Sequence, residues 1–557
     1  MKGGEVLVKT LRKYGVKHVF GLPGGHTLPI YEAIYDMQPE MRHILVRDEK
    51  CGALMADGYA RVAYKVGVCD ATVGPGATNL VSGIAEAHYS SIPVVAITGN
   101  VHSAWVGKGA LQECDHLSLF RPITKWSVRI DRASRVPEFV REAFRRATTE
   151  KPGPVHLDLP VDVLTGETDA KIYAESQCAV YPAYRVKPDP VKIVRAAELM
   201  IEMERPVIVA GGGVIISQAW SEVMELAETL SIPVATTITG KGAIPEDHPL
   251  SIGVVGGIGR ASAVKVVEQA DVVLLIGCKT GQIATANWSL PKRDSKIIHI
   301  DIDPKVIGKN FPVDVRIVGD AKATIKDLID ALKKLIRKKP MEEMPWISMV
   351  RKAVKEWRNA VAPLLSSDDI PIKPQRVMKE LRNVLPKDAI LVCDASLSTA
   401  WGSVYFDVLA PGRTFIAPRG LAGIGSGFPM ALGAKLAAPS KKVVCITGDG
   451  GFGMESPELE TAKREKIPLV VVVLNNKCLG WIKLEQKLNY KGKFLSSDFL
   501  DLNFGKIAEA YGCHGSRTER PGEIKEALEK AVKVEEPAVI DVIIDPWAEP
   551  PLAVQLY

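Results

Sequence analysis

The residues Val443–Asn476, VVCITGDGGFGMESPELETAKREKIPLVVVVLNN, decide the fold. Val443–Thr447 is a β-branched run suited to a buried parallel strand, and Gly448-Asp449-Gly450-Gly451 lets the backbone turn sharply while leaving amide N–H groups free. A helix is expected from near Met454, so those amides open onto its start and favour an anion. Leu469–Leu474 is a second all-apolar strand with Asn475-Asn476 at its carboxyl end. Asp449 and Asn476 therefore leave the sheet at one edge, where open α/β sheets bind ligands. The stretch reads as a diphosphate and metal site.

Two other readings compete. Gly448-x-Gly450-x-x-Gly453 also satisfies the dinucleotide pattern GxGxxG, but that site wants an acid at the end of the second strand, and neutral Asn475 and Asn476 stand there. A carboxylate at Asp449 would also repel a pyrophosphate unless a cation lay between them. Mg²⁺ makes the same geometry favourable, because a hard cation takes a carboxylate, an amide oxygen, a carbonyl and phosphate oxygens. The third reading is a tight turn that holds nothing.

At 557 residues the chain is too long for one core. No apolar run reaches the ~18 residues that span a bilayer, and MKGGEVLVKTLRKYG enters an amphipathic helix without a signal-peptide core, so a cytoplasmic protein is expected. Nine cysteines are scattered singly with no C-x-x-C pair, which argues for reduced thiols and against a zinc site. A net charge of +6 with lysines and acids interspersed gives no nucleic-acid surface.

Apolar strands alternate with helical patterns three times over. HVFGL, HILVRD, VGVCDATV, PVVAITG and PVHLDLP are the strands of a first domain, residues 1–173; Ala174 to Pro190 reads as a linker. PVIVAGGG, PVATT, DVVLLIG, KIIHIDIDP and DVRIVGD belong to a central domain, 190–335, and KKLIRKKPMEEMPW to a second linker or bridging helix. AILVCDAS, KVVCITGDG, LVVVVLNN and AVIDVIIDP make a third domain, 370–547. The fold class is α/β, with three consecutive doubly wound parallel-sheet domains.

Several residues stand where such domains bind ligands. The turn Gly21-Leu-Pro-Gly-Gly-His-Thr permits close approach of backbone to a ligand at Gly24 and Gly25, and His26 is either an acid-base group or a loop histidine facing solvent. Glu49, read alone, is a solvated first-turn acid favoured by the helix dipole. Ser396, Ser398 and Thr399 reach phosphate oxygens or cap a helix.

The GDG turn, followed about 27 residues later by the second Asn of NN, resembles the thiamin-diphosphate signature of the acetolactate synthase, pyruvate oxidase and benzoylformate decarboxylase family. The resemblance runs from end to end and implies that same three-domain architecture. It implies Mg²⁺ ligation by Asp449, Asn476 and the main-chain carbonyl of Cys478, with Gly448, Gly450, Gly451 and Leu479 against the cofactor. RDEKCGALMADGYAR is similar to the segment whose Glu, here Glu49, contacts the aminopyrimidine and exchanges a proton with its N1′. GPGATN implies that Pro75 and Asn79 border the cofactor, and GLAGIGSG places Gly423 and Ile424 where an apolar side chain props the cofactor into its bent form.

LQECD and RPITK look like acetolactate synthase segments, implying Gln112 at the active site and Lys125 on the substrate-access side. After Asn476 the chain departs from that pattern: Trp481 and Glu485 line the acceptor pocket, and Glu485 replaces a large apolar wall. An unpaired carboxylate there costs several kcal/mol if buried, so it is solvated, paired, or used on a polar substrate.

In the central domain Gly211–Gly213, Lys241-Gly242, Gly256-Gly257, Asp301, Asp303 and Gly319-Asp320 match the positions that hold FAD in acetolactate synthases, ADP or nothing elsewhere. The implied reaction is decarboxylation of a 2-oxo acid, pyruvate, and carboligation to a second one. The alternative is a lyase or decarboxylase acting on 2-hydroxyacyl-CoA, oxalyl-CoA or benzoylformate. A homodimer or homotetramer with active sites between subunits follows from the resemblance, and a regulatory subunit is compatible with it.

Overall fold

The computed structural model describes residues 1–335 and 345–552 and holds three six-stranded sheets, every strand pairing parallel to its neighbours. The interior strands are continuous apolar runs buried on both faces: Val94–Asn100, Val272–Ile276 and Val470–Asn475 expose nothing. Numbering strands within each domain, the first sheet (Arg42–Leu45, His18–Leu22, Gly67–Ala71, Val94–Asn100, Val155–Pro160, Trp126–Arg129) runs 2-1-3-4-6-5. The third sheet (Phe415–Ile416, Ile390–Cys393, Val443–Gly448, Val470–Asn475, Ala538–Ile543, His514–Thr518) has the same order. The central sheet runs 3-2-1-4-5-6, the dinucleotide-fold order, with its crossover between Pro206–Ala210 and Val272–Ile276.

The shared topology of the first and third domains is a local two-fold relation. The helix following the second strand is Glu49–Ala63 in one and Gly427–Ala437 in the other, and these two helices cross each other. A Cβ on Gly58 would lie 2.1 Å from the Met430 carbonyl oxygen, and one on Gly433 would lie 2.0 Å from that of Met55. Met55-x-x-Gly58 thus faces Met430-x-x-Gly433, each glycine under the other's methionine carbonyl. Phe20, Leu54, Met55, Met430, Leu432 and Phe452 share one hydrophobic core that crosses the domain boundary.

Two expectations change, and the two alternatives for the second connection narrow to one. The segment 174–190 is not a free linker: Tyr181 is buried, its hydroxyl donates to the Ala60 carbonyl (2.9 Å), and Pro190 already opens a helix, Pro190–Glu202, capped by Asp189. The second connection is a bridging helix, Pro345–Leu365, whose Trp346, Ile347 and Val350 enter the central core; residues 336–344 lie outside the described part. The helix after Gly448 begins at Asp449, not near Met454, and runs as two pieces, Asp449–Glu455 and Glu458–Arg464. Pro457, which lacks an amide proton, sits at the break.

Candidate active site

Asp449 opens its helix at the carboxyl end of Val443–Gly448. It is buried, and its Oδ2 has no hydrogen-bond partner among the described residues. Burial raises its pKa to about 7, against the opposing effect of the Gly450, Lys477 and Cys478 amides. The donors at 477 and 478 put Asp449 beside the turn that follows Asn475. There Asn476 Oδ1 accepts from the Cys478 amide (3.3 Å), and Gly480 is required because a Cβ would fall 2.5 Å from Asn476 Nδ2. Burial, and then the Asp449 charge, push the Cys478 thiol up to about 12, so at neutral pH only its backbone offers a hard donor.

A buried carboxylate with one unpartnered oxygen beside an amide oxygen fits a hard cation such as Mg²⁺. No group of three or more His, Cys, Asp or Glu side chains among the described residues forms an alternative metal centre. Gly448 and Gly453 leave open space where a Cβ would point. Gly450 faces Leu479 and Phe499 at 3.1 Å, and Gly451 lies over Asp394, whose Oδ2 a Cβ would meet at 2.1 Å.

Asp394 carries a role that its place in the sequence does not announce. Its carboxylate accepts from the amides of Gly425 (2.9 Å) and Gly427 (3.0 Å) and from Thr447 Oγ1 (3.1 Å). It therefore pins the Gly423–Ile424 loop to the Gly448–Gly451 turn. Ser396 has a left-handed φ of 65° and starts the helix Leu397–Tyr405 without a side-chain cap, so the capping reading fails there. Thr399 Oγ1 donates to the Asp394 carbonyl (2.6 Å), and Ser398 is buried beside it.

In the first domain Glu49 is the first residue of its helix, capped by Asp48, but only 4% exposed, which rules out the solvated first-turn acid. Asn79 Nδ2 donates to Glu49 Oε2 at 3.0 Å, and Gly76 brings the Gly74-Pro75-Gly76 turn to within 3.0 Å of Oε1, measured to its absent Cβ. Gly24 sits against Thr72, whose buried hydroxyl has no partner, and Gly25 faces open space. His26 is half-buried, which lowers its pKa; neither a wholly solvated loop nor an engaged acid-base pair describes it. Gln112 has a φ of 63° and its carbonyl crowds Gly74, whose amide donates to His116 Nε2 (3.0 Å) while His116 Nδ1 meets Asp158 (2.8 Å). Sequence reading missed this backing for Gln112, because Asp158 lies more than forty residues away, on the strand Val155–Pro160.

The substrate-side residues are less converged. Lys125 Nζ donates to the Thr149 carbonyl (2.9 Å), and burial lowers its pKa to about 8. Trp481 packs on the third domain's core, while Glu485 lies on the half-exposed helix Gly480–Asn489 and accepts from Asn489. The carboxylate is solvated and hydrogen-bonded, so the buried-charge penalty does not arise.

At the crossover of the central sheet lies a cavity of about 330 Å³, lined by Gly212, Gly277, Lys279, Asp301 and Asp320 together with Ser90 of the first domain and Arg413 of the third. Arg413 Nε and Nη2 are buried there without hydrogen-bond partners. Lys241 and Gly242 are elsewhere: Lys241 is wholly buried and paired with Glu246, beside Arg260 and Asp407, which rules it out as a ligand contact. Gly256 packs on the Ile283 carbonyl and also stands off the cavity.

Three family models match the chain in order: the thiamine pyrophosphate enzyme N-terminal TPP binding domain over residues 1–119, the central domain over 193–328, and the C-terminal TPP binding domain over 394–542. The chain belongs to the thiamine pyrophosphate enzymes. Within that class it is 45% identical to a probable acetolactate synthase large subunit of Methanocaldococcus jannaschii, covering 98% of this chain and 92% of the relative. It is 36% identical to an acetolactate synthase of Arthrospira platensis (97% and 93%) and 34% to the isozyme 3 large subunit of Escherichia coli (98% and 95%). It is a thiamin-diphosphate-dependent enzyme of the acetolactate synthase kind.

Proposed function

We propose that the chain decarboxylates pyruvate and joins the two-carbon fragment to a second 2-oxo acid, with Mg²⁺ as the diphosphate anchor. The observation that carries the metal is the buried, unpartnered Asp449 Oδ2 beside Asn476. Asp449, Asn476 and the Cys478 carbonyl hold the cation, and the turn from Gly448 to Gly451 admits the diphosphate because no Cβ closes it at Gly448. When bound, thiamin diphosphate supplies the electron sink for loss of CO₂. Glu49 holds and returns a proton at the cofactor's N1′ through Oε1, since Asn79 occupies Oε2. Ile424, half-buried on the loop fixed by Asp394, would offer the bound cofactor an apolar side chain to pack against. Trp481 and Glu485 border the acceptor, and a solvated carboxylate there suits a polar acceptor over an aliphatic one.

The central cavity takes an ADP-containing nucleotide, FAD or ADP: the strand order, the glycines at its crossover and the Arg413 side chain in its wall support a phosphate-bearing ligand. Leu495 and Leu500 are 78% and 84% exposed, and Met454, Leu421 and Phe499 are exposed near the Asp449 turn. Such an apolar rim supports closure of the site by a second copy of the chain. The relatives' designation as large subunits supports a regulatory partner. No helix among the described residues is long and apolar enough to cross a membrane, and the nine cysteines are free, which supports a reducing cytoplasm.

The test is to supply metal-stripped protein with thiamin diphosphate, Mg²⁺ and pyruvate and to assay acetolactate. Product that requires both additions is expected. No product from pyruvate, with turnover of an acyl-CoA instead, refutes the assignment.

A further inference from the structure

The crossing of Glu49–Ala63 with Gly427–Ala437 sets a register between the two cofactor-binding domains. Nine residues before Gly58 stands Glu49; nine before Gly433 stands Ile424. The residue assigned to the pyrimidine and the residue assigned to the cofactor's bend therefore share one sequence offset from the crossing glycines, Glu49 as the first residue of its helix and Ile424 in the loop three residues before the other. Each is approached by a buried carboxylate from the opposite domain.

Glu86, on the first domain's helix Pro75–Ser90, accepts from the amides of Gly420 (3.0 Å), Leu421 (2.7 Å) and Ala422 (3.0 Å), the residues that lead into Gly423 and Ile424. Glu455 ends the helix that Asp449 begins, pairs with Lys50 Nζ and accepts from Cys51 Sγ, the two residues that follow Glu49. Its Oε1 also lies 2.9 Å from where a Cβ of Gly425 would stand. One turn further on, Glu458 accepts from the Arg47 amide (2.8 Å), and Thr461 and Arg464 donate to the Leu45 carbonyl. Glu86 and Glu455 are 1% and 3% exposed, and a carboxylate so buried is held only by strong donors.

We propose that Glu455 and Glu86 are reciprocal positioning residues, Glu455 fixing the first turn that carries Glu49 and Glu86 fixing the loop that carries Ile424. Neither carboxylate needs to touch the cofactor. Because Asp449 and Glu455 are the two ends of one seven-residue helix, the anchor for the diphosphate and the grip on Glu49 move as one body. If, as the proposed function has it, the cofactor is shared between subunits, this helix links the metal of one site to the proton-handling acid of the other. The inference rests on the thiamin-diphosphate reading given above.

The experiment compares wild type, Glu455→Gln and Lys50→Met by amide hydrogen exchange without cofactor, then by cofactor affinity and steady-state kinetics with Mg²⁺ and pyruvate. Glu455→Gln keeps shape and an acceptor but removes the charge. Expected are exchange at least about tenfold faster across residues 47–52, kcat down about tenfold, pyruvate KM within about twofold and cofactor Kd within about threefold. Lys50→Met, which leaves the carboxylate in place, should shift the same quantities in the same direction, and it stands in if Glu455→Gln does not fold. Unchanged exchange at 47–52 with kcat within twofold overturns the proposal. So does a kcat loss that only follows a fall in melting temperature and cofactor affinity. Wild type failing to turn over pyruvate would count against the proposed reaction, while the exchange result would still decide the clamp.

Discussion

Gly58→Ala is the sharpest test of the interlocked first and third domains. The new Cβ would sit 2.1 Å from the Met430 carbonyl oxygen and 2.8 Å from its Cα, all of it helix backbone that cannot rotate aside. The axes must separate by about 1 Å, which forfeits a quarter to a half of the dispersion energy of the atoms along the crossing. Overpacking against rigid backbone costs about 3 kcal/mol, and exchanging Gly for Ala inside a helix returns about 1, leaving a net loss of about 2 kcal/mol. Gly433→Ala should cost the same, because it meets the Met55 carbonyl at 2.0 Å. One separation relieves both clashes, so the double variant should lose clearly less than the ~4 kcal/mol sum. Gly522→Ala, with nothing within 4 Å of its Cβ, is the neutral control. The assay is denaturant unfolding followed by far-ultraviolet circular dichroism, with cofactor affinity measured alongside, because Glu49 opens one of these helices and Ile424 precedes the other by three residues. A Gly58→Ala protein as stable as wild type, or a strictly additive pair, would refute the reciprocal packing.

Four other outcomes follow from the geometry. Glu49→Gln should abolish turnover while Mg²⁺-dependent cofactor binding, measured by calorimetry, stays within a few-fold, since the metal end is untouched. Asp449→Asn should weaken that binding by about 10–100-fold, the usual loss for a disturbed metal shell, and leave unfolding little changed. Burial alone would raise the pKa of Asp158, but His116, His156 and Arg129 bring it down to about 2. A lowered carboxylate stabilises the fold above its unfolded pKa near 3.8 and loses that as pH falls towards 2. The drop of nearly two pH units is worth ~2–3 kcal/mol, so Asp158→Asn should be less stable by about that much at pH 7 and should approach wild type near pH 2. Lys241→Met leaves the buried Glu246 with Arg260 and the Val408 amide but without its ammonium partner and should cost about 3 kcal/mol, read as a lower melting temperature at the junction of central and third domains.

The interior of each sheet is legible in the sequence because a parallel strand buried on both faces is written as an unbroken apolar run. The four strands that the sequence pattern does not reveal, Trp126–Arg129, Ser251–Val254, Phe415–Ile416 and His514–Thr518, are all sheet edges. An edge needs only one bonded side and tolerates polar residues: Trp126–Arg129 and most of His514–Thr518 are half-exposed, and Phe415–Ile416 is two residues long. Glycine-rich turns are equally legible, since a tight turn or a close approach demands glycine wherever it occurs. Lys241 misled for the same reason: Gly240-Lys241-Gly242 has the composition of a ligand turn, but its glycines make room for the Ala210 and Gly412 carbonyls.

What composition and spacing do not carry is pairing across the chain. Glu49 alone has the signature of a helix-dipole acid, and its burial comes from partners far away: Asn79 thirty residues on, and beyond them the third domain's grip on residues 45–51. Glu86 and Glu455 read as ordinary helix-surface acids, because nothing near them in sequence announces that their partners are the amides of 420–422 and the side chains of 50 and 51. The one trace is arithmetical. Met-x-x-Gly recurs at 55–58 and 430–433, and the same offset carries Glu49 onto Ile424, so this weak internal repetition between the two outer domains pairs the two positions proposed to meet the cofactor. The central domain falls outside that relation: its strand order differs, and its cavity draws walls from both outer domains. A ligand there would bridge the two halves that the helix crossing already joins, so emptying or filling the cavity should be felt at the Ile424 loop through Arg61, which lines the cavity and reaches Glu86.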